Sequence, residues 1–527
     1  MNTNIEFVAR KKELQLLSKR IEGHSKGFRQ NVALLGMPYI GKSFILSQAI
    51  KKASKNIICA IVDVKNTDRT FFARSLFSSL FSSVLREEFM VIDDDLEDMI
   101  ERGKPIYPKS IDAINHVLLL DWERDFINAF GDMFNALNQI INETGKRIVL
   151  AFENFEALED FSGQGLIFEL LSREIISKKG IMFILTSSNI RRAKEILDSD
   201  LSLLFGNFER VEVEPLKLDA GRDYVCSLLP EHAPANITKF ILALTGGNPF
   251  YIRLICDEMV SINNREKDLW HCLIQAVYKL VFSPYGILYQ HFWSQSSALS
   301  DGPHGPSMPV FLLATSKESN IENMHKRFNW KRNHLLHKLD VLRRKGIVYK
   351  DHDNLFFQDE LFAFWLKHVY RYRVERVNID PDSEFARAEY ILRREIATFI
   401  EKESVDVNKR LIHLFKSFSE QFILLIDGKK HRFYEVDNIV CENGLCIAVM
   451  KRGFKWAFMF KPQWTEDDMF ELVEMTQGLE LHRVIAISKL QFSSPVKVIA
   501  KQKKIWLWGV DVINYLFEVH NLGEIVW

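Results

Sequence analysis

The sequence has little cysteine, no excess of either charge and no long apolar run, and each absence excludes a class of protein. Its six cysteines are scattered over 527 residues without the paired spacing of a zinc site, which predicts a reduced compartment and no zinc. Lys+Arg and Asp+Glu are both 69, so no field of the whole chain attracts nucleic acid or an anionic membrane. The chain has no run of about 18 apolar residues, which predicts a cytoplasmic protein without membrane contact.

What the sequence does contain is enough apolar material for several folded domains. Hydrophobic residues make up 47% of the chain and charged residues 26%, as in ordinary globular proteins. At about 100 to 200 residues per domain, the length predicts three or four domains. We find no internal repeat or low-complexity tract in the sequence.

The first 215 residues alternate strand-like apolar runs with helical patterns. The runs lie at 31–36, 56–64, 147–153, 180–186 and 210–215. Continuous apolar runs are typical of buried parallel strands, and the helices between them are typical of crossover connections. We therefore predict an α/β fold with a parallel sheet, followed over 216–280 by a small helical lid.

A phosphate-binding motif lies between the first predicted strand and the first predicted helix. Residues 36–43, GMPYIGKS, match GxxxxGK[ST]. In such a P-loop the backbone amides surround the phosphates, the lysine neutralises the β and γ phosphates, and the hydroxyl reaches Mg²⁺. The motif predicts ATP or ADP and Mg²⁺ as cofactors. The residues expected to bind the nucleotide are Gly36, Pro38, Gly41, Lys42, Ser43 and Phe44.

Acidic and hydroxyl side chains follow the next strands of the predicted sheet. We expect Glu153 to hold Mg²⁺ together with Ser43, because such sites take a carboxylate from a neighbouring strand end. Asn154 stands where an acid usually polarises water, so either hydrolysis is slow or Glu156 serves instead. Two solvated acids at a strand end are the alternative. Ser187, after the following strand, is expected to sense the γ-phosphate and completes the candidate catalytic set.

Taken in order along the chain, these motifs resemble a known family over roughly residues 5 to 280. FVARKKEL at 7–14, the P-loop, EPL at 214–216 and GGNP at 246–249 are similar to motifs of STAND and archaeal-type ATPases, relatives of the Orc/Cdc6 branch of AAA+ proteins. The resemblance implies an ATPase core at 1–215, with Arg10 near the adenine and Pro249 near the phosphates. Two departures, Glu153-Asn154 in place of Asp-Glu and Asn207 in place of an arginine, imply a weak ATPase.

Residues 281–377 include two helical patterns followed by two short strands, the layout of a winged helix. Between 325 and 350 nine side chains are basic, and Asp340 is the only acid. Such a helix face can meet the phosphates of duplex DNA. A solvated helix face and a protein-binding winged helix are the alternatives. The candidate nucleic-acid contacts are Lys331, Arg332, Arg343, Arg344 and Lys345.

The last segment, 385–527, resembles the restriction-endonuclease-like fold that is often fused to archaeal-type ATPases. Nucleases of that fold hold a metal with an Asp on one strand and a Glu-x-Lys on the next. Asp437 and Lys451 occupy plausible positions, but Val449 occupies the position of the Glu. Either Glu435 or Glu442 substitutes for it, or the fold is an inactive nuclease kept for binding.

Together these features predict an ATP-binding switch in which the nucleotide sets how the domains pack. The C-terminal domain then delivers the output. The expected partners are duplex DNA through the winged helix, a protein partner, or a second copy of the chain. One alternative is an ATP-assisted DNA nuclease. Another is a non-hydrolysing scaffold that nucleotide stabilises.

Overall fold

The structure is a computed structural model that divides the chain into two compact units, each described by itself. Unit 1 contains Met1–Tyr224, Asn248–Tyr251 and Asp340–Val348, and unit 2 contains the remainder. The described residues are 10–85, 95–162, 166–202, 208–230, 233–263, 268–297, 299, 321, 324, 326, 331–351, 354–375, 380–418, 422–426 and 429–520. The first helix of the predicted winged helix and Asn207 lie outside or largely outside these residues.

Unit 1 is built on a sheet of five strands. The strands are β1 (Asn31–Leu35), β2 (Ile57–Asp63), β3 (Arg147–Glu153), β4 (Ile181–Ser187) and β5 (Phe208–Glu212). Their order is β2-β3-β4-β1-β5, and every pairing is parallel. The predicted α/β fold is confirmed, since all five predicted strands are present and form one sheet.

Helices precede, connect and follow the strands of unit 1, and the last of them ends in unit 2. They are α1 (Lys11–Ser25), α2 (Lys42–Lys51), α3 (Arg69–Leu85), α4 (Leu96–Gly103), α5 (Pro108–Leu118), α6 (Phe126–Thr144), α7 (Glu159–Ser162), α8 (Leu166–Ser177), α9 (Ile190–Asp198) and α10 (Leu218–Leu228). Alternate residues of β1 enter two separate apolar clusters, Ala33 and Leu35 in one and Val32 and Leu34 in the other. Both faces of the sheet are therefore covered, which explains why its strands are continuous apolar runs.

The parallel arrangement brings the carboxyl ends of the strands to one edge of the sheet. Leu35 is in register with Ser187, and Asp63 is in register with Glu153. Ligands of open α/β sheets bind at this edge. The P-loop, which follows β1, therefore lies beside the ends of β3 and β4.

The middle of the chain is mainly helical. Its elements are α11 (Ala235–Thr245), α12 (Pro249–Asn263), α13 (Leu269–Val277), α14 (Ile287–Ser297), α15 (Arg332–Arg344), β6 (Val348–Asp351), β7 (Asn354–Phe357), α16 (Glu360–Trp365), α17 (Arg371–Glu375), α18 (Pro381–Ser404) and α19 (Val407–Lys416). The strands β6 and β7 form a two-stranded sheet. A helix followed by two short strands agrees with the predicted pattern, while the winged-helix assignment stays a prediction.

One helical stretch, Leu269–Ser297, is long and apolar enough to cross a membrane by length and composition alone. Its most apolar window is 56% buried. Buried core helices of soluble proteins satisfy the same two criteria.

The C-terminal part of unit 2 contains a hairpin and a mixed sheet. Its elements are β8 (Phe422–Ile426), β9 (Lys429–Phe433), β10 (Val436–Glu442), β11 (Leu445–Met450), β12 (Lys455–Lys461), α20 (Glu466–Thr476), β13 (Arg483–Ser488), α21 (Ser494–Lys503), β14 (Trp506–Trp508) and α22 (Val510–Val519). The sheet order is β10-β11-β12-β13-β14, with two antiparallel pairings followed by two parallel ones.

The expected reduced state of the cysteines needs one correction. Cys441 and Cys446 are joined by a disulfide, and Cys59, Cys226, Cys256 and Cys272 form none. The two residues are register partners across the antiparallel pair β10 and β11, which a turn at Asn443 and Gly444 connects. Scattered spacing along the sequence hides this pairing, because the hairpin brings the two side chains to facing positions.

Candidate functional site

Two glycines determine the shape of the P-loop. At the first there is no space for a side chain, and at the second the backbone has a positive φ. A Cβ on Gly36 would lie 2.6 Å from the carbonyl oxygen of Val213. Gly41 has a φ of 101° and directly precedes α2, a conformation that other residues rarely adopt. Tyr39, between them, has a positive φ of 60°. The loop is therefore a tight turn from β1 into the N-terminus of α2, the end of a helix that attracts anions.

Lys42 lies buried beneath this loop. Its Nζ donates hydrogen bonds to the carbonyl oxygens of Gly36 and Met37, each at 2.8 Å, and to Ser188 Oγ at 2.9 Å. Burial lowers the pKa of Lys42 to about 8, although nearby carboxylates, of which Glu156 is the strongest, act in the opposite direction. The ammonium group is thus held at the strand ends, where phosphate oxygens can replace its neutral partners.

Ser43 and Glu153, the two predicted Mg²⁺ ligands, are in direct contact. The Ser43 hydroxyl donates a hydrogen bond to Glu153 Oε1. Hydroxyl and carboxylate oxygens are ligands that Mg²⁺ accepts, and it fills its remaining positions with water and phosphate. The donor set therefore fits Mg²⁺. Among the described residues there is no group of three or more His, Cys, Asp or Glu that would hold a metal without a nucleotide.

Asn154 turns away from this pair. Its backbone is left-handed, with φ 52° and ψ 46°, and its Nδ2 donates to Asp63 Oδ1 at 2.8 Å. Asp63 ends β2 beside Glu153 and was missed by the sequence analysis, although its strand also ends in an acid. The contact fixes Asn154 on the β2 side of the strand ends.

Glu156, two residues after Asn154, lies at the site again. It lies in a short 3₁₀ turn, Phe155–Leu158. The Ser187 hydroxyl and the backbone N–H of Asn189 donate hydrogen bonds to the Glu156 carboxylate. Lys42 acts on this carboxylate electrostatically. Its Oε2 is buried and has no hydrogen-bond partner among the described residues. Burial raises the pKa of Glu156 above its ordinary value, and these partners only partly offset that effect.

Ser187 ends β4 and Ser188 follows it, and the predicted sensing role of Ser187 stays a prediction. Ser187 is fully buried, and its Oγ accepts a hydrogen bond from the Asn189 amide at 3.0 Å. Ser188 is the residue that contacts Lys42. Sequence alone cannot distinguish adjacent serines, because the pleat of the strand decides which side chain points at the P-loop.

Arg10 supports the P-loop from its other side. Its Nη2 donates to the carbonyl oxygen of Ile40 at 2.9 Å, and its Nη1 lies 3.6 Å from Glu13 Oε1. Burial lowers the pKa of Arg10, an effect that Glu13 partly offsets. The structure thus connects Arg10 with the loop itself, and its predicted place near the adenine stays a prediction.

The GGNP turn also contacts the P-loop. Asn248 is buried, and its Nδ2 donates to the carbonyl oxygen of Pro38 at 3.3 Å. The rings of Tyr39 and Phe250 stack with centroids 4.8 Å apart. Pro249 is the first residue of α12. These contacts connect the turn with the P-loop, and the predicted place of Pro249 near the phosphates stays a prediction. Phe44 is half-buried in the first turn of α2.

The candidate DNA-binding residues have different environments. Lys331, Arg332 and Lys345 are exposed. Arg344 Nε lies 2.7 Å from Asp340 Oδ2, and Arg343 Nη1 lies 3.7 Å from Asp340 Oδ1. The one acid of the basic segment thus binds two of the five candidates.

Asp340 and Arg344 also contact the end of β4. Arg191 of α9 lies 3.3 Å from Asp340 Oδ1. Asn189 Nδ2 donates to the carbonyl oxygen of Arg344 at 2.8 Å. The last turn of α15 is therefore tied to the segment that directly follows Ser188.

Three of the candidate nuclease residues lie near one another, because Lys451 pairs with Glu435 and interacts electrostatically with Asp437. Asp437 is exposed on the edge strand β10, at an irregularity in its pairing with β11. Val449 lies opposite Asn438, and Glu442 is exposed. Lys451 Nζ forms an ion pair with Glu435 at 2.5 Å. An exposed ion pair of this kind needs no metal to explain it.

The parallel sheet and the loop between β1 and α2 define a P-loop NTPase fold, and solved structures of ATPases resemble it. A Walker-type ATPase of Pyrococcus abyssi is 15% identical, with a TM-score of 0.47 over 68% of this chain and 95% of that chain. The Aeropyrum pernix ORC2 protein in ADPNP–ADP complexes is 14% identical, with a TM-score of 0.41 over 74% and 95%.

The Aeropyrum pernix ORC1 protein in complex with DNA is 11% identical, with a TM-score of 0.36 over 68% of this chain and 91% of that chain. No protein-family model and no curated protein matches the sequence. Because these TM-scores are below 0.5, the interpretation of the site depends on the residues of this chain.

Proposed function

We propose that the protein is an ATP-binding switch, in which the nucleotide at the P-loop controls the binding of DNA or of a protein partner. The proposed organisation is an ATPase core at 1–215, a lid at 216–280, a winged helix at 281–377 and an inactive restriction-endonuclease-like domain at 385–527. The single observation that carries the switch is the series of contacts from Lys42 to the end of α15.

Nucleotide binding is supported by the arrangement of charges at the P-loop. Lys42 is the buried cation at the helix N-terminus, and Ser43 with Glu153 supplies the ligands that would hold Mg²⁺. A buried ammonium group with only neutral hydrogen-bond acceptors is poorly compensated. Phosphate oxygens would supply the missing negative charge, so the site favours ATP or ADP over an uncharged ligand.

Coupling to α15 is supported by two adjacent residues that contact different partners. Ser188 accepts a hydrogen bond from Lys42, while Asn189 donates one to the Arg344 carbonyl. When Lys42 turns to a phosphate, Ser188 loses its donor. The segment that carries Asn189 and Arg191 is then free to change its contacts with Arg344 and Asp340. Nucleotide binding can shift this equilibrium only through such a difference in contacts.

The output surface is the basic segment at the start and end of α15. Lys331, Arg332 and Lys345 present exposed positive charge, while Asp340 binds Arg343 and Arg344. Release of the Asp340 contacts would add two guanidinium groups to a surface able to bind phosphates. Duplex DNA is the partner that this charge favours. A protein partner or self-association remains the second possibility for the same surface.

Hydrogen–deuterium exchange with and without ATP and Mg²⁺ tests the coupling. We expect ATP to change the exchange of 340–348 in the wild-type protein. Asn189→Ala should reduce that change while ATP affinity stays within about threefold of wild type, since Asn189 does not contact the P-loop lysine. Asn128→Ala, which removes an amide bonded locally to Asp125 on α6, is the matched control. Unchanged exchange in the wild type on ATP binding would contradict the switch.

Gel shifts on duplex DNA at two salt concentrations test the output. Charge reversal at Lys331 and Arg332 should weaken binding and flatten its salt dependence, because fewer counterions are released. These residues are better targets than Arg343 and Arg344, whose reversal also disrupts the Asp340 contacts. If the wild-type protein binds no DNA in either nucleotide state, the surface is a protein-binding or self-association face.

A further inference from the structure

The residue that usually activates water in P-loop ATPases is Asn154 in this chain, and its side chain is already bound elsewhere. Its left-handed backbone directs its Nδ2 to Asp63, 2.8 Å away. An amide also cannot accept a proton from water at neutral pH. Asn154 therefore cannot be the base, and any hydrolysis must use a different carboxylate.

Of the carboxylates that follow β2 and β3 at this edge, Asp63 and Glu153 have partners that already assign them. Glu153 accepts the hydrogen bond of the Ser43 hydroxyl, the contact that a shared Mg²⁺ would replace. Asp63 accepts hydrogen bonds from the Asn154 side chain and from the Lys65 amide. The contact with Ser43 and the contact with Asn154 thus assign these two carboxylates, although Glu153 also acts on Lys42 electrostatically.

Glu156 has the geometry of the missing group. The Ser187 hydroxyl and the backbone N–H of Asn189 orient the Glu156 carboxylate at the end of β4. Ser188, which contacts Lys42, lies between these two residues. Oε2 of Glu156 is buried and has no hydrogen-bond partner among the described residues. Buried carboxylate oxygens normally have partners, so an unpartnered one calls for a ligand or a function. Lys42 is close enough to influence Glu156 electrostatically.

We propose that Glu156 is the general base of ATP hydrolysis, three residues beyond Glu153, and that it replaces the acid lost at Asn154. Oε2 accepts a proton from the attacking water. The water oxygen forms a bond to the γ-phosphorus, and the bond from that phosphorus to the bridging oxygen breaks. The electron pair of the broken bond leaves on the β-phosphate of ADP. Lys42 stabilises the charge that develops on the phosphates.

This inference rests on the proposed nucleotide binding, and a comparison of binding with turnover separates the two. Glu156→Gln keeps the size of the side chain and removes its basicity. Release of inorganic phosphate should fall about 100-fold or more, as expected for loss of a general base. ATP affinity in Mg²⁺, measured by calorimetric titration, should stay within about threefold of wild type. Glu156→Asp should give an intermediate rate, because the shorter carboxylate still accepts a proton.

Glu174→Gln is the matched control. Glu174 lies on α8, has a buried Oε2 without a hydrogen-bond partner, and has a pKa that burial raises. It faces Lys178 at 3.9 Å instead of the P-loop lysine. We expect this variant to hydrolyse ATP at the wild-type rate, which would show that loss of a buried glutamate alone does not slow turnover.

Three results would overturn the assignment in different ways. If Glu156→Gln releases phosphate at nearly the wild-type rate, Glu156 is not the base. If the wild-type protein binds ATP but releases no phosphate, the inference fails while the switch proposal stands. If the wild-type protein binds no nucleotide, the proposed function fails as well.

Discussion

Two sheet edges in this protein carry acids and lysines, and they differ in how those side chains meet. At the carboxyl edge of the first sheet, the buried Lys42 donates a hydrogen bond to Ser188, and Ser43 donates one to Glu153. At the β10 edge of the C-terminal sheet, Lys451 forms an exposed ion pair with Glu435, and Asp437 acts on it electrostatically. The first edge brings the ends of several different strands together. The second is a single exposed edge strand, β10.

Topology is the cause of this difference. Parallel strands with crossover helices bring the ends of β1, β3 and β4 to the same edge, and the tight P-loop covers them. In the antiparallel pair β10 and β11, neighbouring positions alternate between faces, and the irregularity at Asp437 removes it from the register. An acid and a lysine at suitable sequence spacing make a site only where the topology brings them together and partly excludes water.

The largest effect we expect comes from removing the buried lysine. Lys42→Ala should weaken ATP binding by on the order of 100-fold or more, because it removes the charged donor that the loop directs at the phosphates. Calorimetric titration with ATP and Mg²⁺ measures this loss. Lys451→Ala is the control from the other edge and should bind ATP as wild type does. If both variants bound ATP with the same affinity, Lys42 would have no special role in nucleotide binding.

The next effect depends on the metal. Glu153→Gln should lower ATP affinity about tenfold in Mg²⁺ and little in EDTA, because the carboxylate acts through a cation that Ser43 also binds. Titrations of wild type and variant under both conditions measure the difference. An equal loss with and without Mg²⁺ would mean that Glu153 supports the loop structurally and is not a metal ligand.

Much of this edge follows from the sequence, and the rest depends on tertiary contacts. The strand, glycine-rich loop and helix around Lys42 predict the P-loop because the motif is local. Glu153 follows from its place at a strand end. The role of Asp63 and the choice between Ser187 and Ser188 depend on register and pleat, which single-sequence patterns do not contain. The links from Asn248 to Pro38 and from Asn189 to Arg344 join segments far apart in sequence, so no local pattern predicts them.

The first sheet should also make the protein sensitive to acid. The His24 side chain is fully buried, and its Nε2 lies 3.1 Å from the carbonyl oxygens of Ile148 and Gly180. Burial lowers the pKa of His24 to about 4. The unfolded chain therefore binds a proton below pH 6.5 that the folded protein takes up only near pH 4. The free energy of unfolding should fall by up to about 3 kcal/mol between these two values.

Thermal unfolding measured from pH 7.5 to 4.5 tests the contribution of His24. His24→Gln should give a lower midpoint at neutral pH but a flatter decline with acid, because the amide keeps a donor and does not titrate. His482→Gln, at an exposed position beside β12, should decline as the wild type does. An unchanged slope in His24→Gln would assign the acid sensitivity to other groups.

The smallest effect we expect is at the second edge. Wild-type protein should leave duplex DNA uncut in Mg²⁺ or Mn²⁺, with or without ATP, because Asp437 has no acid opposite it and Lys451 is paired with Glu435. Val449→Glu should also remain inactive. The new carboxylate would lie opposite Asn438, and two metal ligands must come from positions that face each other. Cutting by Val449→Glu would mean that the edge is a decayed nuclease site whose geometry survives. Cutting by wild type that Asp437→Ala abolishes would make the second edge an active site like the first.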